Sequence, residues 1–427
     1  MKKIGVVSLG CAKNRINTEQ MMYLLSEAGY FVSGDVEDAD AVLINTCAFI
    51  ESAKTEAIET ILEFAELKKA GKIGKIIVAG CLPERYKEDI LKELPEVDAI
   101  VGTGSFDDIV EVAKAFQRNG HCPDTLASEP NPTPRCLNNN HSASTSLSFF
   151  KDINAPVSET KRINTTSPEW TYLKIAEGCD NRCAYCCIPD IRGRYRSRPM
   201  ENIVAEATLL AKNGIKEINL VAQDVTSYGV DLYGKFILPE LLRALSKIPD
   251  LMWIRLLYLY PDKITNELID EIEKNDKIVK YLDIPIQHIS DKILKNMNRS
   301  YTGEQVKTLI KKLREQIKGV VLRTSIITGL PGEEKEEFEE LLSFLREVKI
   351  ERAGVFTYSP EEGTAAATMQ RPDYKTAQRR AKTIEKLQSQ IMQVFEESKT
   401  QAQFPILIDG RSYAEAPDID IVPQAAQ

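Results

Sequence analysis

The sequence predicts an α/β protein: an amino-terminal parallel α/β domain, a partial (β/α)6 barrel and a short β tail. Three observations carry this prediction. Apolar runs of strand length alternate with amphipathic helical patterns over residues 1–117, and alternate again with a longer period over 170–358. Between them the chain turns polar, rich in Ser, Thr, Asn and Pro. Six of the nine cysteines fall into two sets of three, one set each just past an apolar run and the other packed into eight residues.

In the first region Ile4–Leu9, Ala41–Asn45, Ile76–Ala79 and Ala99–Val101 read as strands. Thr18–Ala28, Ala53–Lys69 and Asp107–Phe116 read as helices. In sheets of this kind ligands gather outside the carboxyl ends of the strands. Cys11, Cys47 and Cys81 lie one to three residues beyond three such ends, so they can meet at one edge without sharing a local motif. Taken alone, three buried free cysteines would be the plainer reading. Residues 118–168 cannot bury enough apolar surface to offset their ordering entropy and read as a polar linker. Its His121, Cys122, Cys136 and His141 match no usual zinc spacing.

In the second region the expected strands are Tyr172–Ala176, Glu217–Ala222, Trp253–Leu259, Tyr281–Ile286, Val320–Ile327 and Gly354–Tyr358. Helices are expected between them at Ile203–Lys212, Leu238–Ser246, Thr265–Lys274, Gly303–Gln316 and Glu334–Val348. Six strand–helix steps make an open barrel, since closure needs eight. One amphipathic helix follows at 374–398 and about two strands after Phe404. The domains expected are thus 1–117, the linker 118–168, the barrel 169–360, a helical extension 361–400 and the tail 401–427.

A chain of 427 residues with 43% hydrophobic and 28% charged content can bury real cores. No apolar run approaches the ~18 residues of a membrane span. The start resembles a signal peptide only faintly, because its apolar stretch is short and runs into Lys13, Asn14 and Arg15; a first strand is the better reading. A cytoplasmic location with no membrane association is expected. Reduced thiols there favour metal or redox chemistry over disulfides. A net charge of −8 argues against nucleic-acid binding by charge alone and suits a basic protein partner.

The second set of cysteines is packed into eight residues, Cys179-Asp-Asn-Arg-Cys183-Ala-Tyr-Cys186, directly after the first barrel strand. That is the face where such barrels carry active sites. Three thiolates on one loop can hold three corners of an iron–sulfur cube, where full cysteine ligation would take four. The fourth iron is left open to something other than protein. Zinc would want four protein ligands, and no second Cys pair follows at ribbon spacing.

This segment resembles the Cys-x-x-x-Cys-x-aromatic-Cys signature of the radical S-adenosylmethionine (SAM) superfamily. The resemblance implies a radical-SAM barrel with a [4Fe–4S] cluster on Cys179, Cys183 and Cys186, SAM on its open iron, and Tyr185 beside the cofactor. Val7-Ser-Leu-Gly-Cys11-Ala-Lys-Asn14, Ile44-Asn-Thr-Cys47 and Val78-Ala-Gly-Cys81 resemble the amino-terminal domain of the methylthiotransferases. In that family three cysteines, here Cys11, Cys47 and Cys81, carry a second [4Fe–4S] cluster that supplies or carries the inserted sulfur. Ile188–Pro199, Leu282–His288, Val355–Gly363 and above all Gly410–Asp420 are similar to the members that modify an aspartate of small-subunit ribosomal protein S-twelve. The tail resembles the closing part of a TRAM domain, shortened where Ile406–Gly410 passes directly into Arg411-Ser-Tyr413. Cys187 stands beside the third ligand, but an adjacent pair diverges in direction, so it is left outside the site.

The resemblance implies transfer of a methylthio group to the β-carbon of that aspartate, with SAM as methyl donor and radical source. It implies ribosomal protein S-twelve as substrate, an electron donor such as a flavodoxin or ferredoxin, a sulfur source, and a monomer. The rivals are a tRNA adenosine methylthiotransferase and a non-catalytic, metal-stabilised binding module. Further SAM contacts are expected from Gln223 at the end of the second barrel strand, and from Gly329 and Gly332 in the turn Thr328-Gly-Leu-Pro-Gly-Glu333. Asp224 beside Gln223 can equally be a capping residue. His288 reads as hydrogen-bonded structure. Arg192, Arg194, Arg196 and Arg198 would share one face of an extended segment, either steering an anion or simply solvated.

Overall fold

The computed structural model describes residues 2–117, 135–138, 145–399 and 411–420. The chain divides into two compact units. One comprises residues up to Thr165 together with 177–179 and 187–196; the other comprises 166–176, 180–186 and the chain from Ser197 on.

The first unit is built on a seven-stranded sheet. Its strands are β1 (Lys3–Ser8), β2 (Phe31–Ser33), β3 (Ala41–Thr46), β4 (Lys75–Gly80), β5 (Ala99–Val101), β6 (Arg135–Asn138) and β7 (Thr145–Phe149). The spatial order is β2-β1-β3-β4-β5-β7-β6, with every pair parallel except β6–β7. Helices α1 (Ala12–Glu27), α2 (Glu51–Lys69), α3 (Cys81–Tyr86) and α4 (Ile109–Gln117) connect or follow strands. β3 and β4 are apolar on both faces because both are covered: Val42, Ile44, Ile76 and Val78 pack in one core, Leu43, Ile77 and Ala79 in the other. Each of these Val, Leu and Ile side chains stabilises the fold by about 1.5–3 kcal/mol.

Two features differ from the sequence expectation. α1 starts at Ala12, not Thr18, because its first turns bury Lys13, Asn14, Asn17, Glu19 and Gln20, polar residues that leave no apolar stripe to read. The segment expected as a linker over 118–168 contains β7, whose Leu147 pairs with Ala99 of β5. Farther along it, Thr165 donates from its backbone and its hydroxyl to the Glu19 carboxylate, each at 2.8 Å. His121, Cys122 and His141 lie outside the described residues.

The second unit is built on six parallel strands in consecutive order: β8 (Trp170–Lys174), β9 (Glu217–Val221), β10 (Trp253–Leu256), β11 (Ile278–Asp283), β12 (Val321–Thr328) and β13 (Arg352–Thr357). Helices α6 (Met200–Lys212), α7 (Leu238–Ser246), α8 (Asn266–Lys274), α9 (Gly303–Gln316) and α10 (Lys335–Val348) alternate with them. The short helix α5 (Ile188–Arg192) belongs to the first unit. Among the described residues β8 and β13 do not pair, so the six strands stay open. The long helix α11 (Tyr374–Lys399) follows.

Of the β tail, residues 401–410 and 421–427 lie outside the described residues, and 411–420 run as successive turns. These turns dock on side chains of β10, β11 and β13. The Arg255 guanidinium donates to the Tyr413 carbonyl at 2.7 Å, and Arg352 to the Ala414 carbonyl at 2.9 Å. The Tyr281 hydroxyl donates to Asp420 at 2.7 Å. Among the described residues no helix is long and apolar enough to cross a membrane.

Candidate active site

In the first unit the strand order reverses between β1 and β3, the switch point outside which such sheets bind ligands. Cys11 follows β1 as the N-cap of α1, Cys47 follows β3, and Cys81 follows β4 as the first residue of α3. Gly10 has φ +88°, and a Cβ there would come within 2.8 Å of the Cys47 Cβ, so glycine lets the Cys11 turn lie against Cys47. Burial opposes the Cys11 thiolate, but Lys13, Arg192 and the backbone N–H groups of Asn14 and Lys13 outweigh it and lower the pKa. Burial pushes the Cys47 thiol up to about 12, and neighbouring Cys81 and Cys11 add to the rise. Burial raises Cys81 as well, against the Arg192 charge. Three neighbouring thiols, two of them on buried residues, that repel one another as thiolates fit a site completed by a positive core, whose binding displaces their protons.

Arg192 enters this site with 3% of its surface exposed. Its Nη2 donates to Cys81 Sγ at 3.3 Å and also to Asn14 Oδ1; its Nη1 donates to Asn17 Oδ1 at 2.8 Å and to Glu177 at 3.4 Å. The four arginines therefore do not share a face. Arg194 is exposed, while Arg198 is buried, donating to the Lys174 carbonyl and Glu206 at 2.7 Å each. The cause is the turn of helix α5 and the left-handed Gly193 (φ +73°) that ends it, which break the extended period. Cys187 packs beside Ile191 in the apolar core that contains Cys81.

In the second unit, residues 180–186 are held by the connections that follow β11 and β13. The Ala184 N–H donates to the Met297 carbonyl at 3.0 Å, and the Ala184 carbonyl accepts from Ala366 at 2.8 Å. Asn298 donates to the Arg182 carbonyl at 2.9 Å. Arg299 lies under Cys183, with Nη1 3.3 Å from its Sγ and 3.4 Å from the Tyr185 hydroxyl. Its guanidinium sits 4.4 Å from the Tyr260 ring centre and 5.0 Å from that of Tyr301. Tyr185 packs against Ile293, Met297, Leu330 and Tyr358.

Asp224 turns out to anchor this loop. Its carboxylate caps the turn at Ser227 and accepts from Asn181 at 2.9 Å and from Lys263 at 2.6 Å. Burial would raise its pKa, but the Lys263 ammonium and the hydrogen bonds from Lys263, Thr226 and Asn181 together outweigh that and hold it below the ordinary range. Asp224→Ala should therefore cost about 0.5–2 kcal/mol of stability. It should also weaken iron binding on the Cys183 loop by roughly 10–100-fold, as loss of an outer support does. Iron and sulfide quantification after limited reconstitution checks this; wild-type content in the variant would show that the loop needs no such anchor. Among the described residues, no three Cys, His, Asp or Glu side chains are gathered to hold one metal ion. A single zinc needs its sulfurs about 2.3 Å from one centre; a cubane spreads them over a larger core.

Comparison with known proteins follows this division. Residues 173–345 match the Radical SAM superfamily, and residues 3–102 match Uncharacterized protein family UPF0004. The ribosomal protein uS12 methylthiotransferase RimO of Caldanaerobacter subterraneus subsp. tengcongensis is 46% identical over 435 residues, covering 98% of this chain and 92% of its own. That of Acetivibrio thermocellus is 46% identical over 432 residues, covering 98% and 91%. This chain belongs to the RimO methylthiotransferase family. It is a transferase of the radical-SAM type, a class whose chemistry rests on SAM and a [4Fe–4S] cluster. Among solved structures, the radical SAM methyltransferase TsrM from Kitasatospora setae aligns with TM-score 0.62 at 15% identity, over 86% of this chain and 77% of its own. The cobalamin-dependent SAM radical enzyme OxsB aligns with TM-score 0.56 at 14% identity, over 96% and 63%. These two likenesses speak for the fold alone.

The remaining candidates divide in this RimO-family chain. Gln223 lies two residues past β9, beside Asp224. Gly329 and Gly332 both take positive φ and have close neighbours. A Cβ at Gly329 would meet the Ala377 Cβ of α11 at 2.4 Å, and one at Gly332 would meet Asn296 Nδ2 at 2.6 Å. His288 is fully buried; its Nδ1 accepts from the Ser290 N–H at 3.1 Å, which places its proton on Nε2, 3.7 Å from Glu333. Burial lowers its pKa to about 3. The neutral ring is thus fully compatible with the fold above its unfolded value of about 6.5. Below that, only the unfolded chain takes the proton, and stability falls with pH at up to about 1.4 kcal/mol per unit. Between about pH 6.5 and 4, His288→Gln should show a shallower loss than the parent in urea unfolding. Parallel slopes would mean that the ring is charged in the fold.

Arg299, Tyr260, Asn298 and Lys263 went unread in the sequence. They come from the segments after two strands, Tyr260 and Lys263 after β10 and Asn298 and Arg299 after β11, and share no spacing with the cysteines. Arg192 was read only as one member of an alternating series.

Proposed function

We propose that this chain is a cytoplasmic enzyme that inserts a methylthio group at the β-carbon of an aspartate in ribosomal protein uS12, the S-twelve protein of the small subunit. The observation that carries the proposal is the 46% identity across 98% of the chain to relatives named for that substrate. Cys179, Cys183 and Cys186 would hold one [4Fe–4S] cluster, and Cys11, Cys47 and Cys81 a second. When bound, the clusters and SAM supply the radical that opens the carbon–hydrogen bond and the sulfur that is inserted. An electron donor such as a flavodoxin or ferredoxin and an external sulfur source complete the turnover.

The chain's own residues bind and orient. Arg299 donates to Cys183 while its cation rests between the Tyr260 and Tyr301 rings, so the loop keeps one shape as charge on the site changes. Tyr185 packs an apolar wall beside its neighbouring ligand Cys186, a place for the cofactor's flat adenine. Asn181, Asp224 and Lys263 fix the loop's start. Such preorganisation is the protein's share of cofactor chemistry.

The purified, reconstituted enzyme should add the mass of one methylthio group, in place of hydrogen, to the aspartate-bearing uS12 peptide. It should leave tRNA adenosine unmodified. Modified tRNA with unmodified uS12 would assign the enzyme to the tRNA branch.

A further inference from the structure

The segment leaving the second cysteine triplet returns a cation to the first. Arg192 follows Cys186 by six residues and ends helix α5, which Pro189 starts and Gly193 stops. Cys187 and Ile191 seat this helix in the same core as Cys81 and Leu82, and the Thr103 hydroxyl donates to the Ile191 carbonyl at 2.6 Å. The helix is therefore fixed on both sides, and its last side chain has one direction to take. The guanidinium stands at Cys81 Sγ, 3.3 Å away, locked by Asn14, Asn17 and Glu177. Asn14 is itself fixed: its Nδ2 donates to the Thr46 carbonyl at 2.8 Å, one residue before Cys47.

We propose that Arg192 is the positioning and charge-compensating cation of the amino-terminal cluster, set to raise that cluster's reduction potential. The inference rests on the two-cluster reading above. A four-iron core carries less positive charge than its three thiolates carry negative, and each electron added widens the deficit. Glu177 nearby deepens it. Lys13 adds a positive charge beside Cys11 through space, whereas Arg192 places an N–H directly on a ligand sulfur. Hydrogen bonds to sulfur and nearby charge are the levers by which a protein moves such potentials. Removing the cation makes the reduced form harder to reach, so the potential moves negative. In sequence the cation follows directly on the other triplet, Arg192 standing six residues after Cys186.

The test uses the full chain, anaerobically reconstituted, with redox titration followed by electron paramagnetic resonance. The amino-terminal signal is the one lost in Cys47→Ala. In Arg192→Met this signal should titrate at a more negative potential, with the signal of the Cys183 cluster unmoved, and Arg192→Lys should recover part of the shift. Loss of the amino-terminal irons in Arg192→Met, restored in Arg192→Lys, supports the same role. An unmoved potential at full iron content overturns it, as does equal iron loss in both variants, which would make the guanidinium's shape and not its charge the requirement. A parent enzyme that takes up only about four irons instead of about eight defeats the two-cluster reading itself.

Discussion

Cys183→Ala is expected to abolish 5′-deoxyadenosine formation, whereas Cys47→Ala should retain it and stop only sulfur insertion. Cys183 stands on the loop that follows the first barrel strand, with the Arg299 guanidinium 3.3 Å from its sulfur. Without the sulfur that cation faces a void and one corner of the proposed cube has no protein bond. The loss should exceed the ~10–100-fold that removing an outer support costs a metal site. Cys47 belongs to the other unit, beside Gly10 at the sheet's switch point. Its removal leaves every contact of the Cys183 loop given above in place. Product analysis by chromatography for 5′-deoxyadenosine and by mass spectrometry for the modified peptide separates the two outcomes. Full methylthio transfer by either variant would remove that cysteine from the site.

Glu217→Ala should destabilise the barrel by about 3–5 kcal/mol, the usual cost of stranding a buried charge. Glu217 opens β9, and neither it nor Arg255 is exposed at all. One carboxylate oxygen accepts from Arg255 Nε at 2.7 Å; the other pairs with Arg411 at 3.0 Å. Arg255 also lies 4.8 Å from the Tyr281 ring centre, and Arg411 lies 5.6 Å from that of Trp170. The alanine variant leaves two guanidiniums facing each other in a dry interior. The same network binds residues 411–420 to the barrel, so the variant should also expose this segment to proteolysis. Urea unfolding and limited digestion measure both. A change below about 1 kcal/mol would mean that water reaches the pair.

Strands and helices of the barrel were legible because burial there follows chain periodicity. Leu238–Ser246 and Gly303–Gln316 form as read, each with an apolar face on the core. The placement of the cysteines past the strand ends was legible as well, because one set is a short-range motif and the other follows a repeated strand-end position. α1 was read six residues short because its opening turns bury amides and charges that only the site can satisfy. The role of 411–420 was not legible. Its Arg411, Glu415 and Asp420 look like surface residues until their partners Glu217, Arg352 and Tyr281, far away in sequence, are brought to them.

Chain order alone determined where the thiols stand, which runs become strands, and which chemistry three cysteines in eight residues can support, since each depends on neighbours close in sequence. Only tertiary structure decided which cation serves each cysteine set. Arg192 is 111 residues from Cys81 and Arg299 is 116 from Cys183. A hydrogen bond to sulfur acts over about 3.3 Å of space, and no local pattern of residues encodes a meeting across that length of chain.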